Sequence, residues 1–182
     1  MSIDYSQAAE SYLRGYCVEF CKTRAQWGLF SNMAAGFPLR FCGRVHPASE
    51  SLYQALRFAD HNRCLALVVG QLPAGAAKVR AYESLADTRP DWDEVRQDAM
   101  RLVLWLKAEQ HAALRKTLLS TGSADIVELS THHDAFWGTV PATGGRLLVG
   151  SNVLGHLLME VRELLRDGQK SCPEELSKMF RF

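Results

Sequence analysis

The feature that most constrains this chain is the run from Asn152 to Gly168. There Leu154, Leu157, Leu158, Val161, Leu164 and Leu165 recur at helical spacing on one face. Six aliphatic side chains on one stripe have to be covered, so the chain must build a core against this helix. Asn152 suits its N-cap and Gly168 its C′ stop. A second long pattern follows the break at Arg89-Pro90-Asp91-Trp92. Asp91 and Glu94 form a D-x-x-E capping pair. Val95, Ala99, Leu102, Val103 and Leu106 then make the inward face of a helix that runs on, with a bend, towards Leu119, before Thr121-Gly122 ends it. Leu102, Leu106, Leu154, Leu158 and Val161 are the expected core lining.

Shorter signals fill in the rest. The spacing predicts a helix over Ala48 to Asp60, with Leu52, Ala55, Leu56 and Ala59 on its apolar face. Two more helices are predicted over Arg63–Val69 and Pro73–Leu85, with Pro73 in the first turn of the latter. Tyr16–Cys21, Leu39–Cys42 and Ile126–Leu129 read as short strands. The first dozen residues read as a loose or short helical lead-in, and Asp134 to Gly150 as an irregular, Gly-rich stretch. Helices dominate without βαβ alternation, so the predicted class is α+β, a single helix-dominated domain with a few short strands. The 182 residues suit one domain, at roughly 100–200 residues each. They divide into an N-terminal lead-in, 1–15, a main domain, 16–168, and a C-terminal helical extension, 169–182.

Charge and composition exclude several classes. Lys plus Arg number 21 and Asp plus Glu 20, a net charge of +1, so bulk charge does not hold this chain to nucleic acid or membrane. A pocket with a few local cations is still open to it. The longest apolar run, Cys64 to Val69, falls far short of the roughly 18 residues of a membrane span. The N-terminus has no basic segment leading into an apolar one, so no secretory signal is expected. Cys17, Cys21, Cys42, Cys64 and Cys172 are odd in number and scattered, which points to reduced core cysteines and a cytoplasmic protein.

The familiar catalytic motifs are absent: no G-x-G-x-x-G, no G-x-x-x-x-G-K-[ST] and no G-x-S-x-G. Cys17 and Cys21 have no partner pair and His132-His133 lacks helical ligand spacing, so no metal site is expected. Glu50, Gln54, Arg57 and His61 sit at i, i+4, i+7 and i+11, a stripe about 60° wide opposite the apolar face. On spacing alone this reads first as a solvated polar face, with Glu50 favoured by the helix dipole. Trp92 and Trp137 each lie beside acidic or basic residues in irregular segments, where tryptophan is either a lid on the core or a stacking plate. Asn32 and Asn152 read as turn or cap residues.

Taken in order, the segments resemble the NADAR family, with its YbiA-like N-glycosidases. The series begins with Phe30-Ser31-Asn32, then Ser49-Glu50-x-x-Tyr53-Gln54-Ala55-x-x-Phe58 and Arg89-x-Asp91-Trp92. Met100, Lys107-x-Glu109-Gln110-His111 and Leu118-Leu119-x-Thr121-Gly122 follow. It closes with Ile126-Val127-Glu128, Asp134-x-Phe136-Trp137-Gly138, and Gly150-x-Asn152-x-Leu154-Gly155-x-Leu157-Leu158-Met159-x-Val161-Arg162. Two places depart from the family pattern. The run is Glu50-Ser51-Leu52-Tyr53 where many members carry His after the glutamate and then two aromatic residues, and Met33 follows Asn32 where an aromatic is usual. Those departures resemble a bacterial subgroup associated with DNA ADP-ribosyltransferase toxins.

The resemblance implies hydrolysis of the bond between an amine and C1 of a phosphorylated ribose, without cofactor or metal, by the domain at 16–168. It implies Glu50 as the main catalytic carboxylate and Asp134 as its partner, orienting water or ribose hydroxyls. Trp92 and Trp137 would wall the pocket, and Asn32, Gln54 and Asn152 would contact substrate. Arg24, Lys78 and Arg89 are phosphate candidates that read equally well as surface charges. Lys107 matches the family pattern and also suits a buried ion pair. The implied partner is an ADP-ribose-bearing nucleotide or nucleic acid, with functional pairing to a DNA ADP-ribosyltransferase toxin and no membrane. The alternatives are a riboflavin-pathway intermediate as substrate, or a non-catalytic ADP-ribose or NAD binding module.

Overall fold

The computed structural model describes residues 3–7 and 9–182. Helix accounts for 45% and strand for 13%, so helix exceeds strand more than threefold, and the α+β class holds. The chain forms two compact units, each built from two segments: one from the N-terminal part up to Ser31 with Ala113–Gln169, the other from Asn32–Ala112 with Lys170–Phe182. No helix among the described residues is long and apolar enough to cross a membrane. All five cysteines are free thiols.

In the first unit, β1 (Glu10–Leu13) pairs antiparallel with β7 (Leu147–Gly150), and β7 with β6 (Val140–Pro141). The expected lead-in therefore contains a strand: Tyr12 is buried with Val127 and Leu148, and this small core holds β1 in register. The Gly-rich stretch likewise contains the β6–β7 hairpin, turned through Gly144 (φ +86°) and Gly145 (φ +68°). Positive φ is cheap only for glycine, so these two residues mark the turn. β2 (Val18–Phe20) pairs parallel with β5 (Ile126–Glu128), inside two of the predicted strands. α5 (Ala112–Ser120) enters this unit, and α6 (Val153–Arg166) packs on β5. Leu154, Leu158 and Val161 are buried, as the periodicity predicts.

The N-terminus of α6 departs from expectation. Asn152 occupies the cap position in a left-handed conformation (φ +46°), but its side chain does not cap the helix. Instead its Oδ1 accepts from the Glu128 N–H (3.0 Å) and its Nδ2 donates to the Ile126 carbonyl (2.9 Å), bracing β5. A Cβ at Gly155 would stand 2.1 Å from the Ile126 carbonyl oxygen and 2.5 Å from the Asn152 amide, so only glycine permits this close approach.

In the second unit, β3 (Leu39–Phe41) and β4 (Arg44–His46) form an antiparallel hairpin. Its two-residue turn, Cys42-Gly43, has positive φ at both positions, the backbone that suits a tight right-twisted hairpin. β4 escaped the sequence reading because three residues show no alternation. α1 (Ser49–Leu56) follows, then α2 (Arg63–Val69), α3 (Ala74–Glu83), α4 (Trp92–Gln110) and α7 (Glu174–Lys178). α1 packs on α2, α3 and α4 and ends earlier than predicted, with Arg57 at its C-cap. Phe58 and Ala59 are fully buried, and Asp60 turns the chain at φ +63°. Asn62 then caps α2 by accepting from the Leu65 N–H at 3.1 Å. His61 consequently leaves the polar stripe.

α4 breaks at His111, whose backbone is extended, so the predicted bend separates it from α5. Asp91 does not cap α4 with its side chain; that carboxylate is held by Arg89 instead. Residues 99–108 are all buried, Lys107 among them, so α4 is enclosed all round rather than along one face.

Candidate functional site

Glu50 sits in the first turn of α1, a helix whose eight residues are all buried. Its N–H donates to the Asn32 carbonyl at 3.1 Å, which fixes Asn32 beside it. The supposed solvated face is therefore interior: Glu50 is 7% exposed, Gln54 2% and Arg57 9%. The Gln54 amide, one turn on, donates to Glu50 Oε1 at 2.8 Å. Burial pushes the Glu50 carboxyl above its ordinary range, against the Gln54 hydrogen bond and the charges of Lys78 and Arg57, which pull it down. A carboxyl held this way exchanges a proton nearer neutrality than a solvated one, as a general acid or base requires.

Polar atoms around it are held without partners. Asn32 is 5% exposed; its Nδ2 donates to Met100 Sδ at 2.8 Å, while its Oδ1 is buried with no hydrogen bond. Gln54 Oε1, Ser49 Oγ and Arg57 Nε are buried and unbonded as well. Native interiors rarely leave such groups without a partner, so these atoms are available to the polar atoms of a ligand. Trp92, buried at the start of α4, lies 5.2 Å from the Tyr53 ring. The Arg57 guanidinium lies over Trp92 at 5.2 Å and over Tyr82 at 5.5 Å.

The eleven residues singled out from the sequence divide between the units. Asn32, Glu50, Gln54, Lys78, Arg89, Trp92 and Lys107 lie in the second. There Asn32 and Gln54 bond Glu50 directly, and Lys78, exposed on α3, acts on it through charge. Arg89 is committed elsewhere: it grips Asp91 with two hydrogen bonds, 2.6 and 2.9 Å, and packs over Phe180 at 5.4 Å. This bidentate pair holds the loop ahead of α4, while Nη1 is buried without a hydrogen bond. Lys107 is fully buried, with Nζ 5.0 Å from the Phe37 ring, and burial pushes its amine down to about 7.

Arg24, Asp134, Trp137 and Asn152 lie in the first unit. Asp134 is exposed, and its Oδ1 accepts from the N–H groups of Phe136 and Trp137, both at 3.0 Å. Trp137 is half-buried, edge-on to Phe136 at 5.0 Å, and its carbonyl accepts from the Leu154 N–H. Arg24 is exposed. Asn152 is 0% exposed with both amide atoms bonded to β5, which gives it a bracing role. Among the described residues no group of three His, Cys, Asp or Glu side chains could hold a metal. The sequence reading left Arg57 and Tyr53 out of the site; the signal for Arg57 was its place on the Glu50–Gln54 stripe.

A buried, hydrogen-bonded carboxyl among unmet polar groups and a buried indole is chemically suited to acid–base work on a polar ligand. The NADAR domain matches residues 19–166, and the chain belongs to this family. It is 37% identical over 160 residues to the N-glycosidase YbiA of Escherichia coli, covering 88% of this chain and 95% of that one. An NMR structure of that E. coli protein is similar with a TM-score of 0.69 and 33% identity, over 86% of this chain and 92% of the other. A riboflavin biosynthesis protein of Vibrio vulnificus is 36% identical over 126 residues, 69% of this chain but only 32% of that longer protein.

Proposed function

We propose that this chain hydrolyses the N-glycosidic bond between C1 of a phosphorylated ribose and an amine, with ADP-ribose on the amino group of guanine as the substrate. The observation that carries the reading is Glu50: buried, bonded by Gln54, and raised towards neutrality. As the C1–N bond breaks, positive charge develops at C1, and a carboxylate beside it stabilises that charge. Water adds its oxygen to C1 and gives one proton to Glu50, and that proton passes to the departing nitrogen. The products are free ADP-ribose and the unmodified guanine amine. Trp92 supplies a flat face for base or sugar, and Asn32 and Gln54 supply unmet hydrogen-bonding atoms. Trp137 as a second flat face and Asp134 as the group that orients water or ribose hydroxyls enter this reading through the family resemblance alone. The relatives named as N-glycosidases support the reaction class.

Ser51, Leu52 and Met33 support guanine-linked ADP-ribose as the substrate, because they are where the chain resembles the toxin-associated subgroup. On this reading the chain acts in the cytoplasm beside a DNA ADP-ribosyltransferase. A second reading, the same chemistry on phosphorylated riboflavin-pathway intermediates, is favoured by the Vibrio relative. Incubation with ADP-ribosylated guanine DNA and, separately, with riboflavin-pathway intermediates decides between them. Release of ADP-ribose from the DNA is expected; release of a ribose phosphate from the intermediates alone would transfer the assignment to the second reading.

A further inference from the structure

We infer that Arg57 is a specificity-determining residue that binds the phosphate of the substrate's ribosyl group, a role that rests on the proposed reading of the Glu50 site. Arg57 is an arginine removed from solvent, 9% exposed, that makes no side-chain hydrogen bond or ion pair among the described residues. Its Nε is sealed without an acceptor. What holds it is the clamp of Trp92 at 5.2 Å and Tyr82 at 5.5 Å, one ring buried and the other exposed. Aromatic faces steady a cation but supply no acceptor for its five N–H donors. A guanidinium desolvated and left unbonded is costly, and its planar fork matches phosphate oxygens better than any other side chain does.

Position agrees with this chemistry. Arg57 follows Glu50 by seven residues on one face of α1, with helical backbone angles at the C-cap. Seven residues set their Cα atoms roughly 10 Å apart along the axis. Side chains lean towards the helix N-terminus, which brings the guanidinium back towards Glu50. The gap suits a ribosyl phosphate with C1 at the carboxylate and its phosphate at the fork. The contrast with Arg89 is informative: Asp91 accepts two hydrogen bonds from that guanidinium, through Nε and Nη2, whereas Arg57 has no such carboxylate among the described residues.

The test is calorimetric titration of the wild type, Arg57→Met and Arg57→Lys with ribose 5-phosphate, ADP-ribose and ribose, with thermal melts as the folding control. The wild type is expected to bind both phosphorylated ligands and to bind ribose far more weakly. Arg57→Met is expected to lose about 10- to 100-fold in affinity for the phosphorylated pair, the scale of a charge-assisted hydrogen bond. Its binding of ribose should not change. Arg57→Lys keeps the charge without the fork and should fall between; it carries the test alone if the methionine variant does not fold. A loss for ADP-ribose but not ribose 5-phosphate assigns Arg57 to the distal phosphate and overturns the ribosyl assignment. Wild-type affinity in the variants, or no preference of the wild type for ribose 5-phosphate over ribose, overturns it as well. Because binding is read directly, failure of every N-glycosidic substrate to turn over would sink the hydrolase reading and leave this result standing.

Discussion

Glu50 and Asp134 are both carboxylates matched to the family pattern, and their surroundings are opposite. Glu50 lies inside a buried helix, its oxygen met by a side-chain amide and its charge disfavoured by burial. Asp134 is exposed, and its Oδ1 ties the N–H groups of Phe136 and Trp137 into a loop. The comparison teaches that residue type names a candidate but surroundings assign its work. A carboxyl kept from water is fitted to move protons. One that holds backbone N–H groups through Oδ1 shapes the loop carrying Trp137, and is fitted to orient a water or hydroxyl rather than to exchange a proton.

The largest way to break this contrast is kinetic. Glu50→Gln should cut single-turnover N-glycosidic hydrolysis by about 10²–10⁴ while leaving affinity for ADP-ribose within a few-fold. Asp134→Asn preserves the Oδ1 acceptor and should lose less. Equal losses in the two variants would erase the distinction between them.

Next in size is the stacking proposed for Trp137. Trp137→Ala should weaken ligand binding by about 1–3 kcal/mol, the range for a base or flat ring stacked on an aromatic side chain. Calorimetry on the folded variant reads it, and unchanged affinity would remove Trp137 from the site.

Smaller effects concern stability. Asp134→Ala deletes the acceptor for two N–H groups, and at about 0.5–1.5 kcal/mol for each hydrogen bond it should lower the melting temperature, whereas Asp134→Asn should not. The smallest effect depends on pH. The folded state holds the Glu50 proton more tightly than the unfolded chain does, so stability falls as pH rises from the ordinary glutamate value, about 4.3, through the folded value. Glu50→Gln should therefore melt higher than wild type at neutral pH, with the gain vanishing below that window. Urea titrations at pH 4 and pH 7 check the sign.

Much of this was legible in the sequence, for physical reasons that differ by element. α6 and α4 announce themselves because a wide apolar stripe has few alternatives. β1, β4 and the β6–β7 hairpin do not, because strands of two to four residues are specified by their partners and not by their own alternation. Glu50 was visible through an ordered series of motifs, but its burial was not: the polar stripe of α1 carries the spacing of a solvated face, and only packing on α2, α3 and α4 encloses it. Asn152 had the residue type of a cap and a ligand and proved to be a brace for β5. Arg89 read as a phosphate candidate, and nothing in a linear pattern shows that Asp91, two residues on, accepts two of its hydrogen bonds.

The most direct test of the contrast is a carbon-13 NMR titration of the side-chain carboxyls, with Glu50→Gln used to assign the Glu50 resonance. The account predicts a Glu50 midpoint displaced upward from the ordinary glutamate range, because burial outweighs the Gln54 hydrogen bond and the charges of Lys78 and Arg57. A Glu50 midpoint at or below the ordinary range would contradict it, since the carboxyl would then be as well solvated or as well paired as one at the surface.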